Sequence, residues 1–254
     1  MGIFSSIGHA ISSAVSGVCS CVSRICSGIA GALGGTSLGN AISSFVTKIG
    51  VAIPGLNIIS AIIAVASIVC TIAEVLGLKK EKEDEPDELA MKAEKDDMKP
   101  EDFDSTEAYI KHLQEDVTLT KEEKEKLDKM SPEERSAYRA TGTYLYTKAI
   151  NEKLGFDTTG LKNPELVGIS VEILADLNKI QQTLSPSDFV VYSKHLQSNG
   201  VNMKQFSDYL HNRSENLTVD EKVQNTLVDA MKELNPDITE PEINQKLYGF
   251  NIED

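Results

Sequence analysis

Charge is almost missing from the first third of this chain. Between Met1 and Leu78 the only formal charges are Arg24, Lys48 and Glu74. An ordinary soluble surface cannot be built from so few charges. These sum to +1, so residues 79–254 carry −15 to give the net −14, and the two parts are suited to different surroundings. A basic footprint is absent throughout, which excludes general nucleic-acid binding. Tryptophan is absent and excludes nothing. Basic residues are also missing from the extreme N-terminus, so no ordinary signal peptide is expected. Export, if it occurs, would then need a specialised machine.

Histidine is scarce, with only His9, His112, His195 and His211. No hydrolase elbow, zinc-protease helix or phosphate-binding loop surrounds any of them. The four cysteines, Cys19, Cys21, Cys26 and Cys70, lie among small apolar residues and lack a usual zinc pairing. They read as small buried hydrophobes. The expectation is therefore no enzyme, no catalytic residue, no metal and no cofactor. Met1-Gly2-Ile3-Phe4-Ser5-Ser6 fits the permissive myristoylation pattern, and the cysteines could take acyl chains.

What is present in residues 1–78 is glycine, serine and helical period. Eleven of the seventeen glycines fall here. Apolar residues from Ile3 to Leu33 recur every three or four positions, which predicts a long helix. Its other face holds small hydroxyls, including Ser5, Ser12, Ser16 and Ser23, where a soluble helix would show Lys and Glu. Such a face suits tight packing or the lining of a narrow watery path. Gly31, Gly35 and Gly39 follow at a spacing of four, continued by Ser27 and Ser43. Glycine disfavours helix in water, but small residues at this period let helices approach closely in lipid.

Two apolar segments follow, with Pro54-Gly55 between them. The later one, Leu56 to Leu78, would be about 35 Å long as a helix. That exceeds the hydrocarbon thickness of about 30 Å. The stretch from Ile29 to Ile53 is also long enough, with Lys48 placed to snorkel. The expectation is a membrane-inserting hairpin turning at Pro54-Gly55; the alternative is a very apolar hairpin buried in a soluble fold.

Residues 79–99 are dense in charge and read as an exposed hinge or solvated helix. Residues 100–254 show repeated helix starts at Thr120, Ser131, Ser185, Thr218 and Thr239, each followed by acids. Six or seven helices and little or no sheet are expected there. The fold class is thus all-α: an apolar Gly/Ser-rich region over 1–78, a charged linker over 79–99, and an acidic helical domain over 100–254. A faint echo runs through the last part, and similar helix-start chemistry accounts for it as readily as a duplication. Pro100, Asp102 and Phe103 lead to "KHLQ" at 111–114, and Pro186, Asp188 and Phe189 lead to "KHLQ" at 194–197.

The layout resembles bacterial secreted antibacterial effectors of the membrane-targeting, pore-forming kind, notably those delivered by type VI secretion systems. The resemblance lies in the Gly31, Gly35 and Gly39 region and in the acidic stretch "DELAMKAEKDDMKPEDFDSTEAYIKHL". It is one of overall layout, and virion proteins that cross membranes share the apolar part. It implies insertion into a target membrane, self-oligomerisation, and an immunity protein or secretion chaperone as partner. It carries no catalytic residues with it.

Overall fold

The computed structural model describes residues 17–29, 31, 33, 36–80, 84–156 and 168–249. Among these residues there is helix and no strand, as the all-α reading requires. Packing divides the chain differently from composition. One compact unit joins residues 1–70 with 78–149, and the other joins 71–77 with 150–254.

The first unit begins with α1 (Gly17–Ile29) and α2 (Thr36–Ala52). These two lie side by side, because the Ser27 and Ser43 hydroxyls are hydrogen-bonded at 2.8 Å. Sixteen residues of one straight helix would hold them about 24 Å apart. Residues 29–53 are therefore not one rod, and the earlier of the two expected spans gives way to a fold-back. The later segment forms a single helix, shorter at both ends than the expected Leu56 to Leu78. Asn57 caps α3 (Ile58–Val75) by accepting from Ser60 N. Its mean hydropathy of 2.4 and length of 18 residues make it the one described helix long and apolar enough to cross a membrane.

Each of these helices buries its apolar stripe. Val22, Cys26 and Ile29 are buried on α1, and Ile42, Phe45, Val46 and Ile49 on α2. On α3 the buried side includes Ile62, Val65, Val69 and Ile72. α7 (Pro132–Lys153) lies against α1 and α2. The Cys26 thiol lies 3.5 Å from the Ala137 carbonyl, and the Phe45 ring meets Tyr144 edge-on at 5.7 Å.

The stretch expected as an exposed hinge or solvated helix does contain a helix, α4 (Pro86–Lys95), but it is buried along Leu89, Ala90, Met91 and Ala93. Its charges are matched rather than solvated. Asp87 accepts from Arg135 Nε at 2.8 Å and Arg139 Nη2 at 3.1 Å, and Lys92 pairs with Asp84 at 3.5 Å. A buried carboxylate with two guanidinium partners is tolerable where a lone one is not. Then come α5 (Thr106–Glu115), capped by Ser105, and α6 (Lys121–Asp128), started by a Thr120/Glu123 capping box. Ser131 and Glu134 start α7 by the same exchange.

The second unit holds α8 (Val171–Ile180), α9 (Phe189–Ser198), α10 (Met203–Leu210), α11 (Leu217–Leu234) and α12 (Glu240–Tyr248). α9 packs along α11, α10 lies against α8 and α11, and α12 closes on α11. Tyr192, Phe206, Leu227 and Met231 fill the middle. Thr239 starts α12 as expected, with Glu242 as reciprocal partner. Two expected starts move. Asn216, not Thr218, caps α11, because its Oδ1 already accepts from Thr218 N and Val219 N. Ser185 opens a turn, and α9 begins at Phe189.

The "KHLQ" echo has a structural counterpart within each unit. In the first, α4, α5, α6 and α7 have 10, 10, 8 and 22 residues. In the second, α8, α9, α10 and α11 have 10, 10, 8 and 18. Gln114 donates to the Leu78 carbonyl just past α3, at 3.0 Å. Gln197 donates to the Leu154 carbonyl just past α7, at 2.7 Å. Tyr109 and Tyr192 occupy the same place before the two histidines, and both are buried. The first three lengths and these two caps agree, while α7 is four residues longer than α11.

Candidate functional site

The residues singled out by sequence cluster in α1, α2 and the turn into α3. Gly35, Ser5, Ser12 and Ser16 lie outside the described residues. Ser27 and Ser43 are brought together, and both hydroxyls reach the Ser23 carbonyl, at 2.9 and 3.2 Å. Ser23 is thus a backbone acceptor at the α1–α2 seam. Hydroxyls turned onto a helix carbonyl in this way need no charge to be satisfied.

The glycines divide. Gly39 is buried. Gly31 is exposed, and a methyl group there would meet nothing within 4 Å. Within one chain, then, Gly31 is not a point where two backbones meet. The Pro54-Gly55 break forms the α2–α3 turn, with Gly55 at φ +89°, a region that L side chains rarely adopt. Lys48 is half-buried on α2.

Arg24 on α1 and Glu74 near the end of α3 are exposed charges; between them the exposed residues of α2 and α3 are uncharged. α2 exposes Ser37, Asn40, Ser44 and Thr47, one helical stripe of hydroxyl and amide groups. α3 exposes Ser67 and Ile63. The turn between them exposes apolar groups, Val51 at 77% and Leu56 at 43%. The sequence reading placed the hydroxyl face on residues 5–23; its extension along α2 was legible at every third or fourth position but was not read there.

The described histidines each meet a carboxylate. His112 lies between Asp96 and Asp116, both at 3.0 Å. His195 meets Glu233 at 2.7 Å, and His211 Nε2 meets Asp176 at 2.6 Å. Ser207 donates to the other Asp176 oxygen at 3.2 Å. Burial pushes the Asp176 carboxyl above its usual range, against the opposing pull of His211. His211 Nδ1 has no partner among the described residues. Ser207 is bonded to the acid rather than the imidazole, so the three do not form a nucleophilic relay. Among the described residues no group of three His, Cys, Asp or Glu is placed to hold a metal ion.

Sequence reasoning missed this Asp–His–Ser cluster, since the partners lie on separate helices. It also missed Gly142, whose signal was a lone glycine inside a helical run. No protein-family model matches the chain, and no curated protein or solved structure matches it either.

Proposed function

We propose that the chain is a membrane-inserting, pore-forming protein of the secreted bacterial toxin kind, which permeabilises a target membrane and performs no catalysis. The observation that carries this reading is α3. With 18 residues it is long and apolar enough, by length and composition, to cross a membrane. Only half of it is buried against protein. The uncharged stripe of Ser37, Asn40, Ser44 and Thr47 supports the same reading, since hydroxyls and amides from several assembled chains would line a passage. The partners are then a lipid bilayer, further copies of the chain, and an immunity protein or chaperone before delivery. The acidic helices keep the chain soluble until it is delivered by a specialised machine.

A second reading is a membrane-anchored structural or interaction protein. It is favoured by the contacts of Cys26 with Ala137 and Phe45 with Tyr144, which give the apolar helices a protein surface to pack on. Addition of the full chain to dye-loaded liposomes separates the two. Dye release over a range of lipid compositions is the expected result. Stable binding without release favours the anchor, and neither binding nor release defeats both.

A further inference from the structure

Charge and exposure single out one edge of the first unit. From Thr36 to Ala73 the only charged side chain is Lys48, and it is positive. Residues 79–254 carry −15, so an anionic bilayer repels most of this chain and does not repel this segment. Within the segment, the large apolar side chains left outside gather at the α2–α3 turn. Val51 is 77% exposed, Leu56 is 43% and, one turn into α3, Ile63 is 47%. Pro54 and Gly55 between them are also exposed. The neighbouring positions Ile53 and Ile58 are buried, so the turn is held in place by its own roots. Gly55, at φ +89°, fixes its shape.

We propose that the α2–α3 turn, presenting Val51, Leu56 and Ile63 beside Lys48, is the surface that first docks on a lipid bilayer containing anionic headgroups. This rests on the membrane reading above and adds the order of events to it. The apolar tips enter the headgroup boundary, as amphipathic surfaces do. α3, which begins at the turn, is then the element already positioned to follow.

The absence of tryptophan supplies the test. Leu56→Trp places the single indole at the turn, and Leu217→Trp places it on the 79% exposed start of α11 in the second unit. Each full-length variant is mixed with vesicles of phosphatidylcholine and phosphatidylglycerol carrying brominated acyl chains. The expected result is strong quenching for Leu56→Trp and little for Leu217→Trp. No quenching at residue 56, or equal quenching at both, overturns the proposal. Val51→Asp adds a carboxylate at an already solvated site, so the fold is kept; binding in vesicle flotation is expected to weaken about tenfold. Unchanged flotation also overturns it. Dye release from the same vesicles is read separately: quenching at residue 56 without release sustains the docking surface and removes the pore, while release without quenching at 56 does the reverse.

Discussion

Gly142 and Pro86 meet so closely that a methyl group on residue 142 would stand 1.9 Å from the Pro86 carbonyl oxygen. The obstacle is backbone, which a rotamer change cannot relieve. α7 and the start of α4 are packed at a distance that only a missing side chain allows. Gly142→Ala is therefore expected to lower stability by at least about 1–3 kcal/mol in urea unfolding, the range for overpacking. Gly31→Ala is the contrast. Its new methyl meets open space on a helix, so it should raise stability by about 0.5–1 kcal/mol. Equal effects at the two sites would contradict the packing described.

Asp176 is 2% exposed, and His211 and Ser207 both depend on it. Asp176→Ala leaves the imidazole and the hydroxyl facing a space without an acceptor. A loss of about 3–5 kcal/mol is expected, the cost of removing one partner of a buried pair. Asp176→Asn keeps an acceptor oxygen and should cost less. Chemical denaturation of the two variants checks the order.

Acid should act first at helix starts. The Glu134 carboxyl is held below its usual range by bonds from the backbone and hydroxyl of Ser131. Glu123 is lowered by Lys95 and then Thr120, and Glu242 by the side chain and backbone of Thr239. A lowered folded value means stability that is whole above the unfolded-chain pKa of about 4.3 and fades as pH falls through the folded one. Amide exchange in the first turns of α6, α7 and α12 should therefore quicken below about pH 4. Asp176 has the opposite sign: its raised carboxyl accepts a proton more readily in the fold, so acid relieves it. Uniform quickening of α8 together with these turns would contradict the assignment.

The glycine spacing makes a prediction about assembly rather than folding. Bulk at Gly35 should prevent close helix contact between copies in lipid. Gly35→Leu is expected to abolish cross-linked oligomers on vesicles while the circular dichroism of the acidic helices is kept. Undiminished oligomers would refute this role.

How far the sequence could be read depended on the reach of each interaction. The capping pairs Thr120–Glu123, Ser131–Glu134 and Thr239–Glu242 are three residues apart and were legible. Thr218 was misread because a better acceptor, Asn216, stood two residues before it. The burial of α4 was hidden because Asp87 finds Arg135 and Arg139 some fifty residues later. In composition such a segment is identical to a solvated hinge. The fold-back between α1 and α2 was hidden for a similar reason: apolar period runs through both, and only the Ser27–Ser43 bond distinguishes two short helices from one long span. For the candidate site, the Pro54-Gly55 turn was plain, whereas the buried side of α2 depended on α7, about a hundred residues later.

Gln114 and Gln197 each close a carbonyl just past a longer helix, and for Gln197 that helix is α7. α7 therefore runs on past residue 149 to the carbonyl that Gln197 closes. A truncation at residue 149 would sever it, and a shortened chain beginning near residue 100 would lose the Leu78 carbonyl that Gln114 closes. The molecule therefore offers no harmless place to cut near either carbonyl. Its two glutamines instead provide a matched comparison: Gln114→Ala and Gln197→Ala make the same deletion in two settings of one polypeptide, and the difference between them measures what each setting adds to the same bond.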